Sequence, residues 1–301
     1  MNTHTPNLSA SNLLATRALL VSLSISSWSA RKHDRSATDQ IHQANQADSD
    51  AGRYNKLLLP KDALKDIQSI VNATRTDFIE RTLPWANDGM RIMSATGYLA
   101  HVEWFRKQQT AFDKAVNEFV QNYERHVAAR EKALGALFNP HDYPTQAEIK
   151  RRFCMTMTNW PVPSSDDFRV NISDTQADQI RQEIEASVKS ATDNAVRDVY
   201  RRVSDVVERM VERLNAYKPA TRKGERPEGV FRDSLVENVK DLINILPSLN
   251  ITGDEKLAAM ANQLRPLTSY EPSTLRQNTQ ARTETAQAAQ AVLDSVKDYL
   301  A

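Results

Sequence analysis

The chain has 301 residues, with 39 Lys plus Arg against 38 Asp plus Glu, a net charge of +1, 40% hydrophobic residues, one cysteine and seven glycines. Average usage would give about 21 glycines. Gly-rich phosphate loops, β-propellers and large barrels need backbone positions that only glycine fills cheaply, so the shortage excludes them and favours long helices. The balanced charge excludes a wholly basic DNA-coating protein. The lone Cys154 excludes an intramolecular disulfide framework and fits a reducing cytoplasm.

Residues 1–16 are polar. Leu13 to Ala30 has the outline of a signal peptide, with Arg17 before an apolar run, but Ser22, Ser24 and Ser26 interrupt the run at strict alternation. Residues 18–28 therefore predict a half-buried strand, with Val21, Leu23 and Ile25 on one face and the serines on the other. The pattern returns at Phe153–Trp160, where Thr156 and Thr158 alternate with Met155 and Met157. Each run ends in a tryptophan, Trp28 or Trp160, on its small-residue face. Two strands with matching faces can pair in one small sheet. Residues 168–172 would add a third strand, after a turn containing Asp166 and Asp167.

Between these strands, residues 29–53 read as a long loop or marginal helix. Pro60 opens a helix over 61–81, and Leu83 to Gly89 breaks it. A second helix covers 96–134, with Tyr98, Val102, Phe105, Phe112, Val116, Phe119 and Tyr123 in a heptad pattern and Gln109 in its gap; Gly135 offers a stop. Thr145 with Glu148 forms a capping box. Ser173 with Gln176 starts the longest helix, 174–217, whose seam runs through Ile180, Ile184, Val188, Ala191, Ala195, Val199, Val203, Val206, Met210, Leu214 and Tyr217. Its mean step near 3.7 suits a nearly straight helix. A loop at 218–229 follows, then helical patterns at 230–246, 254–264 and 273–300, separated by Pro247 and Pro266. The last has a thin stripe, Ala288, Val292, Val296 and Leu300, suited to weak docking or to a partner.

The expected fold is mainly α: long, coiled-coil-like helices forming a hairpin, with a small antiparallel sheet and a C-terminal helical region. The expected segments are a loose N-terminus (1–17), a long-helix domain (18–217), a basic loop (218–229) and a helical region (230–301). No run of about 18 apolar residues exists, so no membrane-spanning helix is expected.

The six histidines form no HExxH or Cys/His cluster, and no Walker A, GxSxG or Rossmann fingerprint occurs, so no catalytic, metal or cofactor site is assigned. A nuclease built from distant carboxylates is the one enzymatic reading left. Cys154 is expected to be a buried structural thiol. Two features could bind. The first is the sheet face made by Ser22, Ser24, Ser26, Trp28, Thr156, Thr158 and Trp160, flanked by Arg31, Lys32, Arg35, Arg151 and Arg152. In an antiparallel pair these bases gather at one end. Such a face is either covered by protein, with the tryptophans as interface anchors, or stacks the bases of a single strand. The second is the basic loop with Lys218, Arg222, Lys223 and Arg226, suited to nucleic acid or an acidic partner.

Several segments together resemble an uncharacterised bacteriophage and prophage family: Ile25-Ser-Ser-Trp28, the Leu83-Pro-Trp85 turn to Gly89, Phe119-Val-Gln-Asn-Tyr123, Tyr143-Pro144 and the Phe153 to Pro163 strand. The resemblance covers roughly residues 18–215 and leaves out the C-terminal third. It implies a cytoplasmic, phage-type protein and an adaptor role beside an AAA+ ATPase, and carries over no active site. The function expected is non-enzymatic assembly or adaptor work through self-association and protein contact. The alternative is binding of single-stranded nucleic acid in phage recombination or replication.

Overall fold

The computed structural model describes residues 10–85, 89–164, 174–220, 222, 225–297, 299 and 300. The expected strand at 168–172, the Asp166-Asp167 pair, Ser173 and Lys223 lie outside the described residues. In chain order the elements are α1 (Ala10–Arg17), β1 (Ala18–Ser26), β2 (Arg31–His33), α2 (Arg35–Asn45), β3 (Asn55–Leu57), α3 (Lys65–Arg81), β4 (Leu83–Pro84), β5 (Arg91–Ser94), α4 (Tyr98–Gln121), α5 (Tyr123–Leu134), α6 (Gln146–Lys150), β6 (Cys154–Pro161), α7 (Asp174–Ala216), α8 (Ser234–Leu249), α9 (Glu255–Leu264), α10 (Pro272–Gln277) and α11 (Thr279–Lys297). The protein is mainly α, with a small antiparallel sheet of order β4-β5-β1-β6 and a two-stranded ribbon of β2 and β3. Among the described residues no helix is long and apolar enough to cross a membrane.

The two alternating runs became β1 and β6, neighbours in one sheet, as their matching faces predict. Residues 29–53, expected as a long loop or marginal helix, hold β2 and the helix α2; α2 buries only Ala37 and Thr38, so it carries almost no apolar period, and it starts because Asp34 caps the Ala37 amide at 3.0 Å. Three expectations need correction. The helix expected over 96–134 is divided at Asn122, whose amide side chain bonds back to the Glu118 carbonyl at 2.8 Å. Pro247 does not end a helix but lies inside α8, two residues from its end at Leu249. The final helical stretch is split at Asn278, whose side chain accepts the Ala281 amide at 3.1 Å and so opens α11.

Two compact units are present. One comprises residues 1–22, 79–101 and 159–301, the other 23–78 and 102–158. The boundaries expected at 217 and 230 therefore do not separate units.

The first unit is organised by α7, 43 residues long. Its seam through Ala195, Val199, Val203, Val207, Met210 and Leu214 is at most 2% exposed. Val207 is the buried valine, while Val206 only borders the core. Fully burying each such side chain contributes about 1.5–3 kcal/mol. The seam is covered by α11, α8, α1 and β4. The expected α11 stripe holds, with Val292 and Val296 buried and Ala288 and Leu300 packed against the core, and it is wider than expected: Ala289 is 0% exposed, joined by Ala281, Thr285 and Ala286. Alanines let the two backbones approach closely, so α11 is a core helix and not a weakly docked one. Beyond α11, Tyr299 stacks flat on Tyr200 with centroids 4.3 Å apart, and Lys256 Nζ lies over the Tyr299 ring, 5.4 Å from its centroid.

Two arginines finish the C-terminal end of α3. Arg202 Nη1 donates to the Glu80 carbonyl at 2.7 Å and its Nη2 to those of Ile79 and Thr82, while Arg91 Nη2 donates to the Thr82 carbonyl at 2.8 Å. These carbonyls would otherwise be left unmet at a helix end. Burial, then the neighbouring Arg202 charge, pushes the Arg91 pKa down to about 10, against the pull of Asp198. Asp198 holds the pair together, accepting from Arg202 Nε at 2.8 Å. After α7 the chain returns through an isolated bridge between Lys218 and Glu228. Gly229, at φ 62°, makes the return feasible: a Cβ there would sit 2.2 Å from the Ala216 carbonyl oxygen.

The second unit is aromatic. Phe119 meets Tyr123 and Phe153 edge-on at 6.0 and 5.6 Å between centroids, and Tyr123 donates its hydroxyl to the Pro144 carbonyl at 2.9 Å. The expected knobs Phe105, Phe112, Val116, Phe119 and Tyr123 are all buried. The capping box of Thr145 and Glu148 is formed at the start of α6.

Ala289→Leu overfills the closest part of the α7–α11 contact and is expected to destabilise the first unit by about 1–3 kcal/mol. Ala291→Leu, at an exposed position of the same helix, should stay within about 0.5 kcal/mol. Urea denaturation of both variants checks the contrast.

Candidate functional site

Among the described residues β6 is an edge strand. Its outward positions Cys154, Thr156, Thr158 and Trp160 are exposed, while Met155 is buried. The period of two set these faces correctly. Cys154 is a correction: it is exposed rather than a buried structural thiol, because the small-residue face of the strand is open. On β1, Ser24 and Ser26 are exposed and Ser22 is half-buried.

Trp28 is the larger correction. It is 8% exposed, against 41% for Trp160, so the two tryptophans do not form a pair of open platforms. β1 ends at Ser26, and the chain then turns through Ala30, which sits in the left-handed region at φ 51°. The turn carries Trp28 inward, edge-on to Tyr123 at 6.3 Å. Parity along a strand cannot hold past the point where the strand stops.

One of the expected bases lies beside the end of the first run. Arg152 lies over the Trp28 ring, 5.9 Å from its centroid, and Arg31, Arg35 and Arg151 are exposed. Lys32 is committed elsewhere. In the β2–β3 ribbon Lys32 stands directly opposite Lys56, a like-charge pairing that is destabilising on its own. The carboxylate of Asp142 resolves it, with one oxygen 2.7 Å from Lys32 Nζ and the other 2.7 Å from Lys56 Nζ. Lys56 is 5% exposed and is further held by Asp34 at 2.8 Å and the Leu137 carbonyl at 2.9 Å. The buried ammonium thus has two hydrogen-bond acceptors, Asp34 and the Leu137 carbonyl, and an ion pair with Asp142.

The protonation states follow. Burial acts to lower the Lys56 pKa, but hydrogen bonds to Asp142 and Asp34 outweigh it and raise the pKa above the ordinary 10.5. Hydrogen bonds from Lys56 and from the Ala37 amide hold Asp34 below 3.8. Burial acts to raise Asp142, and the bonds from Lys32 and Lys56 overcome it, leaving this carboxyl below 3.8 as well. Elsewhere, burial and then the Arg81 charge push His101 down to about 4, so its imidazole is neutral across the physiological range.

The loop at 218–229 is less basic than its sequence suggests. Lys218 pairs with Glu228 at 3.2 Å, and Glu225 accepts the Arg222 amide at 3.1 Å. Arg222 and Arg226 are exposed. Among the described residues no group of three or more His, Cys, Asp or Glu side chains could hold a metal ion.

No family model, curated protein or solved structure matches the chain. The segments that carry the phage-family resemblance include packing residues of the second unit: Trp28 meets Tyr123, and Phe119 meets Phe153. Sequence reasoning missed the Lys56 cluster altogether, since Asp34, Lys56 and Asp142 share no local pattern.

The ion cluster gives a pH dependence of defined sign. The contributions of Asp34 and Asp142 are complete above the unfolded value near 3.8 and vanish as pH falls through their lower folded values. That of Lys56 is complete below 10.5 and vanishes as pH rises through its raised value. Asp142→Asn should cost about 3 kcal/mol at pH 7, as removal of one partner from a buried pair does. In urea titrations the variant should lose less stability than the wild type when the pH is taken from 7 to 3. Equal losses would show that the cluster does not set the acid limit.

Proposed function

We propose that the protein is an assembly or adaptor protein of the phage type, acting through self-association and protein contact rather than through bond-making chemistry. The observation that carries this reading is the exposed face of β6, which stands at the sheet edge among the described residues and ends in Trp160 at 41% exposure. An edge strand offers backbone groups to another strand, and natural edges are usually blocked by charge, proline or a bulge. β6 holds no charged residue, and its only proline is its last position, Pro161. The occupant we assign is a second copy of the same strand. Laid antiparallel, the two copies place Thr156 of each opposite Trp160 of the other, an aromatic to β-branched pair. Gln109 already donates to the Met155 carbonyl at 3.0 Å, so the pairing stretch begins after Met155.

The second reading is single-strand binding, favoured by Trp160 as one open stacking surface and by exposed Arg31, Arg151 and Arg152. The burial of Trp28 leaves it one platform where two were expected.

Light scattering at micromolar concentration, with and without a single-stranded oligonucleotide, separates the readings. Self-association is expected without oligonucleotide. Thr156→Asp sets a carboxylate against Trp160 of the other copy and should return the protein to monomer, and Trp160→Ala should weaken association at least tenfold, each with unchanged circular dichroism. A monomer from which pull-down recovers no partner counts against the proposal. In the second reading retention of the strand falls with salt, and Trp160→Ala costs about 1–3 kcal/mol of stacking. Absence of a retained strand at low salt ends that reading.

A further inference from the structure

In the first unit, a cavity of about 380 Å³ opens where α7 meets the start of α8. Three arginines line it. Arg209 and Arg213 are one helical turn apart on α7 and so share a face, and Arg232 comes from the segment entering α8. The remaining polar lining is Ser234 and Asn238, and no carboxylate lines the cavity. None of the three arginines makes an ion pair among the described residues, although α7 carries Asp205, Glu208 and Glu212 close by in sequence. Three like charges converging on one hollow repel one another, and the protein supplies no anion to offset them.

The start of α8 adds to this. Asp233 stands at the N-cap but makes no side-chain cap hydrogen bond. Its carboxylate is paired instead with Arg276, which also holds the Phe231 carbonyl at 3.0 Å. The anion that would ordinarily cap this helix end is thus engaged by Arg276 and does not line the cavity.

We propose that this cavity binds a phosphomonoester dianion, held by the guanidinium forks of Arg209, Arg213 and Arg232 with hydrogen bonds from Ser234 and Asn238. Planar guanidiniums match phosphate oxygens two at a time, and three of them suit a dianion better than a singly charged diester. The site is independent of the β6 edge, so either proposal can fail alone.

The test is thermal unfolding of the full chain in rising inorganic phosphate against sodium chloride of equal ionic strength. A saturable rise in midpoint with phosphate alone is expected. Arg213→Gln and Arg232→Gln should each weaken it at least tenfold, whereas Arg197→Gln, exposed on α7 outside the cavity, should leave it unchanged. All three variants should unfold like the wild type in chloride. Adenosine 5′-monophosphate and adenosine distinguish the sources. Tighter binding of the nucleotide than of phosphate, with none of adenosine, marks the phosphate as part of a larger ester; equal binding of nucleotide and phosphate marks free phosphate. A midpoint no higher in phosphate than in chloride, a rise that survives both cavity variants, or adenosine binding as well as its phosphate would overturn the proposal. So would an oligonucleotide without a terminal phosphate that competes as well as phosphate, which would make this a phosphodiester groove.

Discussion

The first unit depends on one requirement, that the seam of α7 be kept dry. Ala195, Val199, Val203, Val207, Met210 and Leu214 present a continuous apolar strip that a helix of this length cannot bury against itself. Helices from both ends of the chain are recruited to cover it, α1 from before and α8 and α11 from after. The covering helices fix what else is possible. Because α8 must lie along α7, its first turn meets Arg209 and Arg213. Because α7 must meet β4, Arg202 can reach the carbonyls at the end of α3. Polar features of this unit are consequences of where an apolar strip had to be covered.

The second unit solves a different problem. Its aromatic core is ample, but its β2–β3 ribbon sets two lysines face to face. One buried carboxylate, delivered by the short turn around Asp142, converts that repulsion into a bridge between the ribbon and the segment after α5. A buried ion pair is weak evidence for added stability, since hydrophobic residues of the same shape often do as well. Its value here is geometric: only one register of the ribbon places both ammonium groups on one carboxylate.

How much of this was legible in the sequence follows from the range of each interaction. The two strands, their faces and the span of α7 were readable because side-chain period is local and survives folding. The capping box of Thr145 and Glu148 was readable for the same reason. Trp28 was misplaced because its fate is decided by Ala30, whose left-handed backbone no periodic pattern announces. The α11 stripe was readable at Val292 and Val296, but its full width, through Ala281, Ala286 and Ala289, was not, because alanine gives little contrast between a buried and an exposed position. Asp142 and Lys56 are 86 positions apart, and Arg232 reaches Arg213 only by way of a return loop. Such pairings belong to the tertiary fold, and the flanking charges of α7 read from sequence as an ordinary solvated face.

The first unit is assembled from three stretches of chain, with the whole of the second unit's sequence lying between them. During synthesis this imposes an order. At about 5–20 residues per second, residues 23–158 have all been made before any of α7 exists, so the second unit can complete its core while the first still lacks its central helix. Leu14, Ala18 and Leu20, all in the first unit's core, stay uncovered by α7 for several seconds to tens of seconds after they emerge from the ribosome. The N-terminal stretch is therefore the part of the nascent chain with the longest exposure of sticky surface, and the part on which a ribosome-associated chaperone would have most to do.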